Sequence, residues 1–361
     1  MSRILCLIDS LGLGGAERQM ACLSILLKKA GHEVQLIAFT DKIINKFYDS
    51  FLRENGIIPI YNEPGVNRFR RIWEIAKIVR KFKPNLTIAY KDGVCMSATL
   101  AKIFGNFNLA VSERSSTPKL SKLQRIKLYL FRYANHIVPN SQTQADYIRQ
   151  FAPYLGSKIK VINNVIDTEF FSPNINRKNY NYKSPVILTT ARVSPVKNTL
   201  NYLKAIAILK DKGIQCQFIW YGRTEKGEKY MNHISNEITS LGLSDYITFH
   251  SAVSDIAPIY QKADFFCLPS LKEGFPNVIC EAMATGLPVA CSNVCDNPYI
   301  VEDCINGFLF DPEDPKDIAD KLILILSLSQ EEIKNMGIIN REKIISLCSP
   351  KIFLKNYLSL L

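Results

Sequence analysis

Several sequence signals are missing from this chain of 361 residues, and each absence excludes a class of protein. No hydrophobic run is long enough for a membrane-spanning helix, and the first residues enter a strand-like run, so we expect neither a transmembrane anchor nor a signal peptide. Charged residues make up 22% and hydrophobic residues 47% of the chain, which excludes a disordered protein. A chain of this length favours two globular domains.

Metal and disulfide patterns are also missing. The ten cysteines include no C-x-x-C pair, and the four histidines (His32, His136, His233 and His250) include no pair at helical metal spacing. Because most cysteines lie in apolar runs, we expect reduced core thiols in a cytoplasmic protein. The chain has no G-x-S-x-G elbow, P-loop lysine motif, H-E-x-x-H or D-x-D. We therefore predict no metal site and no cofactor.

Positive charge is concentrated in one half of the chain. Residues 1–165 hold 25 Lys and Arg against 11 Asp and Glu, whereas the remainder holds 20 against 22. Such an excess can attract nucleic acid, anionic lipid or a phosphorylated substrate, and charge alone does not choose among them. No basic run carries the interleaved aromatic residues typical of nucleic-acid stacking, so we expect no nucleic-acid partner.

Short apolar runs alternate with helical patterns in both halves. The runs are residues 3–9, 33–39, 86–90, 109–113 and 136–140, followed by 186–191, 217–222, 247–251, 265–270 and 288–293. This alternation predicts an α/β protein with two doubly wound, Rossmann-like domains facing a central cleft. A polar stretch over 173–183 marks the boundary. We therefore predict domains over 1–172 and 173–345, and a C-terminal helix over 346–361 that packs back toward the first domain.

The segment EGFPNVICEAMATGLPV (residues 273–289) places two carboxylates near one helix terminus. Glu273 lies in a loop after an apolar strand, Pro276 suits the first helical residue, and Asn277 and Glu281 share a helix face. A helix N-terminus at the carboxyl edge of a parallel sheet attracts a diphosphate, while carboxylates accept hydrogen bonds from sugar hydroxyls. Arg192 and Lys197, just past another strand, can clamp phosphate oxygens.

These motifs together resemble glycosyltransferase family 4, retaining enzymes of the two-domain GT-B fold. Glu273 and Glu281 fall on the family's E-x7-E signature. Further matches are GGAER (14–18), VINNVID (161–167), ARV with KN (191–193 and 197–198), WYG (220–222) and NGFLF (306–310). The resemblance covers almost the whole chain, and it is closest to bacterial surface-polysaccharide enzymes.

The resemblance implies roles for individual residues. Glu273 would contact donor-sugar hydroxyls, and Arg192 and Lys197 would neutralise the donor diphosphate. Glu281 would bind the ribose. The donor pocket would also include Gly14 and Gly15, which let backbone amides approach phosphate or acceptor, together with Gly274, Phe275, Pro276 and Asn277.

Several positions depart from the family pattern. Ala191 and Val165 replace glycines, and Ser251 replaces a glycine near the expected nucleotide base. The segment SERSS (112–116) stands where many relatives carry a histidine, and we expect its Glu113 and Arg114 on the acceptor side.

The implied reaction is metal-independent and retains anomeric configuration by a front-face path, in which the departing phosphate takes the acceptor's proton. UDP is the expected nucleotide, a hexose or N-acetylhexosamine the transferred sugar, and a lipid-linked saccharide the acceptor. Two alternatives of the same fold remain: a sugar-nucleotide epimerase and a non-catalytic nucleotide-sugar-binding protein. A dinucleotide oxidoreductase is disfavoured, because Glu17 stands where the third glycine of G-x-G-x-x-G belongs.

Two basic segments, residues 66–83 and 119–132, carry apolar residues at helical spacing. Amphipathic basic helices bind anionic bilayers, so we expect a cytoplasmic protein at the inner face of the plasma membrane. The alternative interpretation is that the apolar faces of these helices pack on the N-terminal sheet and leave a solvated basic surface. The two interpretations are compatible if the apolar stripe packs in the core and the lysines contact lipid head groups.

Overall fold

The computed structural model describes residues 1–40, 46–62, 68–114, 120–174, 183–225 and 227–361. Predicted features at Val66, at Lys119, at residues 115–116 and over most of the polar stretch 173–183 lie outside these ranges. Within the described residues the chain divides into two compact units. The first comprises Met1–Val165 and Pro350–Leu361, and the second comprises Ile166–Ser349.

The first unit is built on one parallel sheet. Its described strands are β1 (Arg3–Ile8), β2 (Glu33–Ala38), β3 (Ile60–Tyr61), β4 (Leu86–Tyr90), β5 (Leu109–Ser112) and β6 (His136–Ile137). Its described helices include α1 (Gly15–Lys29), α2 (Asp49–Glu54), α3 (Arg68–Phe82), α4 (Asp92–Ala101), α5 (Lys122–Phe131) and α6 (Gln142–Phe151). The strand order is β3-β2-β1-β4-β5-β6, so the connections reverse direction between β1 and β4.

Strand β1 shows why helices cover both faces of this sheet. Successive side chains of a strand point to opposite faces. Leu5 and Leu7 enter a core with apolar residues of α3 to α6, whereas Ile4, Cys6 and Ile8 enter a second core with α1 and α2. From Ile4 to Ile8 the strand is therefore apolar, as a segment buried on both faces must be, and only Arg3 at its start is exposed.

The second unit repeats this design with its own sheet. The described strands are β7 (Val186–Thr190), β8 (Gln217–Tyr221), β9 (Ile247–His250), β10 (Phe265–Leu268), β11 (Val289–Ser292) and β12 (Gly307–Phe310). The described helices are α7 (Thr199–Asp211), α8 (Gly227–Ser240), α9 (Ala257–Lys262), α10 (Asn277–Ala284), α11 (Asn297–Ile300), α12 (Pro315–Leu326) and α13 (Gln330–Cys348). The order β12-β11-β10-β7-β8-β9 is again all parallel, and connections reverse between β7 and β10.

The final helix, α14 (Pro350–Leu358), belongs to the first unit, where Phe353 and Tyr357 pack in the core that contains α1. The contacts place the boundary after Val165, whereas the sequence placed it after residue 172. The difference arises because Ile166 and Phe171 pack in the core of the second unit. The chain returns to the first unit after Ser349 rather than after residue 345, since α13 continues to Cys348.

The predicted fold class, α/β with two Rossmann-like doubly wound domains, is confirmed by these two sheets. All ten cysteines carry free thiols, and most of them are buried. Among the described residues, no helix combines the length and apolar composition needed to cross a membrane.

Candidate active site

Helix α10 follows β10 through a loop that carries Glu273. Pro276 is the cap residue and the helix begins at Asn277, one residue later than predicted, because Pro276 has a non-helical ψ of 74°. Pro276 makes no side-chain capping hydrogen bond to this N-terminus. The predicted combination of a carboxylate loop and a helix N-terminus is present at the carboxyl edge of the sheet.

Lys197 and Glu273 form an ion pair in which their side chains are 15% and 11% exposed. Lys197 ends a short 3-10 turn after β7, and the Leu271 amide donates a hydrogen bond of 2.9 Å to the Val196 carbonyl. Since β7 and β10 are the neighbours at which the connections reverse, this bridge joins the loops at the switch point of the sheet. The structure thus brings two predicted site residues together.

Asn198 holds the Lys197 turn in place. Its backbone is left-handed, with φ of 60°, a conformation that asparagine tolerates better than most residues. Its side-chain amide donates a 2.6 Å hydrogen bond to the Pro312 carbonyl. In the K-N motif, Lys197 therefore supplies the charge, and Asn198 supplies the left-handed backbone that ends the turn.

Glu281 is 6% exposed and is linked to the end of β7 through Tyr260. Its Oε2 accepts a hydrogen bond of 3.2 Å from the Tyr260 hydroxyl, which also lies 2.5 Å from the Thr190 hydroxyl. A buried carboxylate requires such partners. Neither Tyr260 nor Thr190 is predicted from the sequence, because neither belongs to a recognised motif.

Arg192 is half exposed, and its guanidinium lies 2.6 Å from the carboxylate of Glu225. The loop before it is packed against β8, where the Trp220 indole donates a 2.8 Å hydrogen bond to the Ala191 carbonyl. A Cβ on Gly222 would lie 1.8 Å from the same carbonyl oxygen. Glycine at 222 therefore allows the close approach of the loops that carry Arg192 and Glu225.

The remaining predicted donor-pocket residues differ in exposure. Phe275 is 7% exposed and packs in the core of the second unit, so its side chain supports the loop. Pro276 is buried, whereas Gly274 and Asn277 are partly exposed. A Cβ on Gly274 would meet nothing within 4 Å, which leaves open space over the loop backbone.

The glycine loop of the first unit lies between β1 and α1. A Cβ on Gly14 would lie 2.3 Å from Oε2 of Glu17, whereas a Cβ on Gly15 would meet nothing within 4 Å. Glu17 is buried and forms an ion pair with Lys91. Gly14 therefore makes room for a side chain of its own loop, a function that the motif alone did not indicate.

Glu113, predicted on the acceptor side, is 3% exposed and lies 2.7 Å from the ammonium group of Lys127. Lys127 also lies 3.1 Å from Asp92. Burial raises the pKa of Glu113 to about 7, although Lys127 acts in the opposite direction. The carboxylate is thus enclosed by its own unit, with Asp92 as the more exposed member of the cluster.

Arg114, the second predicted acceptor-side residue, is hydrogen-bonded within the first unit. It donates to Ser112 Oγ at 2.9 Å, to Asn164 Oδ1 at 2.5 Å, to Tyr357 Oη at 2.8 Å and also to Tyr90 Oη. These contacts connect the end of β5 to α14. Arg114 therefore has a clear positioning function in this structure.

Two family models match consecutive parts of the chain. "Glycosyltransferase Family 4" matches residues 13–170, and "Glycosyl transferases group 1" matches residues 171–343. An N-acetylgalactosaminyltransferase of Campylobacter jejuni acting on a GalNAc-containing, diphospho-undecaprenol-linked saccharide is 26% identical over 339 residues, 91% of this chain and 89% of its own. The chain belongs to glycosyltransferase family 4. It is an enzyme, a hexosyltransferase, as predicted.

Other relatives are similar to this glycosyltransferase over shorter or more distant matches. An Escherichia coli UDP-Gal:α-D-GlcNAc-diphosphoundecaprenol α-1,3-galactosyltransferase is 32% identical over 178 residues, 46% of this chain and 45% of its own. A glycosyltransferase from Rickettsia africae superposes with a TM-score of 0.86 at 20% identity, covering 99% of this chain and 97% of the other. Anabaena Alr3699/HepE in complex with UDP-glucose gives 0.81 at 20% identity, with both chains fully covered. These solved structures share the fold.

Proposed function

We propose that this glycosyltransferase moves a hexose or N-acetylhexosamine from UDP to a lipid-linked saccharide, with retention of configuration, in surface-polysaccharide biosynthesis. The observation that carries the proposal is the Lys197–Glu273 ion pair at the switch point of the second sheet, together with the buried Glu281, whose partner Tyr260 contacts the end of β7. A cation for phosphate, a carboxylate for sugar hydroxyls and a second carboxylate for ribose are what a nucleotide-sugar donor requires.

In the proposed complex, Lys197 turns from Glu273 to the donor diphosphate, and Arg192 leaves Glu225 to do the same. The N-terminus of α10, whose cap residue Pro276 makes no side-chain hydrogen bond, adds amide donors and a favourable dipole for the leaving group. Preorganised positive charge is most effective where negative charge grows in the transition state. We propose that these groups suffice without a metal ion or other cofactor.

Retention is proposed to follow a front-face path. The acceptor hydroxyl attacks from the side on which the diphosphate departs, and the departing phosphate oxygen takes the hydroxyl proton. Glu273, released from Lys197, holds the hydroxyls of the donor sugar as its ring becomes oxocarbenium-like. Gly274 leaves space over the loop at this position.

The proposed substrates are inferred from the substrates for which related enzymes are named. The E. coli relative is named for UDP-Gal and a GlcNAc-diphosphoundecaprenol acceptor, and two Campylobacter relatives are named for diphospho-undecaprenol acceptors. Anabaena HepE has been crystallised with UDP-glucose. We infer a UDP-sugar and a saccharide on a diphosphate-linked lipid for this enzyme.

A ligand screen and product analysis test the proposal. Thermal shifts with UDP-, GDP- and dTDP-sugars should show stabilisation by UDP-sugars, because a ligand that binds only the folded state raises the melting temperature. Incubation of the stabilising donor with a synthetic diphosphate-linked N-acetylhexosaminyl lipid should give an α-linked product by NMR. A β-linked product, epimerised donor without transfer, or stabilisation by no sugar nucleotide would contradict it.

We also propose that the first unit binds the cytoplasmic face of an anionic membrane. Helix α5 packs Leu128 and Phe131 into the core, yet its opposite face exposes Leu123 and Ile126 to more than half of their area. The apolar exposed positions recur at helical spacing and are Leu123, Ile126, Tyr129 and, just beyond the helix, Tyr133. This outward stripe is separate from the inward one, so core packing does not account for it.

Basic and aromatic side chains accompany this stripe. Lys122, Arg125 and Arg132 are exposed, and the Arg132 guanidinium lies 4.1 Å from the Tyr129 ring centroid and 5.1 Å from that of Tyr154. Lysine and arginine attract anionic lipid, and tyrosine favours the membrane interface. The combination favours a lipid surface over a neutral protein partner and would present the enzyme to lipid-borne acceptors.

A further inference from the structure

The loop after β1 holds a carboxylate in an unusual place. Glu17 is 7% exposed, and its Oε1 is paired with Lys91 and accepts a hydrogen bond of 3.3 Å from the Ser10 hydroxyl. Its Oε2 lies over Gly14, 2.3 Å from where a Cβ would stand. Among the described residues, no hydrogen bond reaches this second oxygen. One oxygen is therefore fixed by the protein, and the other keeps its capacity to accept.

Lys91 reaches Glu17 from a strained backbone. It is the cap residue of α4, with φ of 70° and ψ of 142°, a region that residues other than glycine rarely adopt. Strain of this kind persists where the surrounding structure enforces it, and it concentrates at functional sites. Lys91 directs its ammonium group to the carboxylate from the end of β4, the strand beside β1.

A second ion pair stands at the same edge. Asp9 directly follows β1 and lies 3.0 Å from the guanidinium of Arg71, with exposures of 42% and 12% respectively. Arg71 is held 5.0 Å from the Phe39 ring centroid and would lie 3.6 Å from a Cβ on Gly93, at the start of α4. The end of β1 and the loop after it therefore carry two carboxylates, Asp9 and Glu17, each paired with one cation.

We propose that this pair of ion pairs binds an uncharged sugar ring of the acceptor, and that Glu17 Oε2 accepts a hydrogen bond from one of its hydroxyls. A buried carboxylate at the glycine loop opposes a phosphate there, whereas fixed carboxylates with open lone pairs are good partners for hydroxyl groups. The proposal rests on the transferase function proposed above. It assigns Glu17, Lys91, Asp9 and Arg71 to acceptor binding.

The test measures sugar binding separately from nucleotide binding. Saturation-transfer NMR with methyl α-N-acetylglucosaminide and methyl α-galactoside, in the presence of saturating UDP, should give signals from at least one glycoside with the wild-type enzyme. Glu17→Gln should weaken that glycoside about tenfold or more, because a charge-assisted hydrogen bond is lost. Calorimetry should show the same UDP affinity in both proteins.

A second variant perturbs the position of the same carboxylate without changing its charge. Gly14→Ala would displace Glu17 Oε2, so it should also weaken the sugar, and the double variant should lose little more than either single one. Glu33→Gln, at the opposite edge of the sheet, is the matched control and should retain sugar binding. Inorganic pyrophosphate should not displace the sugar while UDP occupies the donor site.

Each contrary outcome has a distinct meaning. Absence of a wild-type sugar signal, an equal signal in Glu17→Gln and Gly14→Ala, or displacement by pyrophosphate would overturn the acceptor assignment. If UDP itself fails to bind the wild-type protein, the proposed function fails instead.

Discussion

The ammonium group of Lys197 is ion-paired with the carboxylate of Glu273, which lies 76 residues further along the chain. The sequence assigned these residues to opposite parts of the donor, the diphosphate and the sugar. Without donor, each neutralises the other in a site that excludes most solvent. A bound donor must exchange this ion pair for two interactions, one with phosphate and one with hydroxyl groups.

This relationship predicts opposite effects on nucleotide affinity. Glu273→Gln frees Lys197, so UDP should bind as well as or several-fold better than in the wild type, while turnover should fall about 100-fold or more. Lys197→Ala leaves a carboxylate unpaired beside the diphosphate and should weaken UDP and turnover together. Calorimetry and initial rates measure both. The exposed Lys343–Glu302 pair is a matched control. Near-native turnover in Glu273→Gln would remove this residue from the site.

Glu281 should act on the ribose. Glu281→Ala should weaken UDP about tenfold, and 3′-deoxy-UDP or 2′-deoxy-UDP should show a penalty in the wild type that disappears in the variant, since the same hydrogen bond is removed twice. Tyr260→Phe removes one of the groups that orient the carboxylate and should have a smaller effect. Wild-type discrimination against both deoxynucleotides that persists in Glu281→Ala would contradict the ribose assignment.

The sequence predicted the sheets better than the contacts within the site. Ten apolar runs became strands, but the two-residue β3 was missed because it is too short for a periodic pattern, and β12 was recognised only as a motif. The Lys197–Glu273 pair depends on β7 and β10 being neighbours, a consequence of strand order. The hydrogen bond between Tyr260 on α9 and Glu281 on α10 likewise depends on how the elements pack in the folded unit.

Gly14 shows a second limit of prediction from sequence motifs. A glycine-rich loop after a first strand predicts backbone approach to a ligand, and the motif contains nothing to distinguish that function from room for a neighbouring side chain. The distinction requires the position of the Glu17 carboxylate, which depends on Lys91 at the end of another strand.

Glu113 should make stability depend on pH. Its pKa of about 7 in the folded protein lies above the ordinary 4.5, chiefly because the carboxyl group is buried. The folded state therefore holds the proton more tightly, and this contribution to stability is present below pH 4.5 and lost as the pH rises to about 7. Glu113→Gln should gain up to about 3 kcal/mol relative to wild type across that window. Urea unfolding, with Glu33→Gln as control, measures this; a constant difference would contradict it.

Arg114 should stabilise the attachment of α14. Arg114→Ala removes the shared partner of Tyr90, Tyr357 and Asn164 and should cost about 3 kcal/mol of unfolding free energy. Hydrogen exchange should rise in Pro350–Leu358, whereas Arg125→Ala, at an exposed position, should leave it unchanged. Tyr357→Phe should give a smaller effect in the same direction. A stable Arg114→Ala protein with weakened acceptor affinity would instead favour the acceptor role that the sequence suggested.

The outward face of α5 should determine membrane binding. The wild-type protein should co-sediment with vesicles containing anionic lipid and be released at high salt, because the attraction is screened within about 10 Å at 0.1 M ionic strength. Lys122→Glu with Arg125→Glu should weaken binding about 30-fold or more, given roughly 1 kcal/mol per basic residue. Leu123→Asn with Ile126→Asn should weaken it without removing the salt dependence, since those side chains contribute apolar burial.

The matched control for these variants lies on the second unit, where Leu324→Asn with Ile338→Asn changes exposed apolar residues and Lys229→Glu with Lys334→Glu reverses exposed charges. These proteins should sediment like the wild type. Donor binding, measured with UDP, should be the same in all variants, because the α5 face belongs to the other unit. Equal binding to neutral and anionic vesicles, or equal loss in the control variants, would show that the α5 face is not the membrane-binding surface.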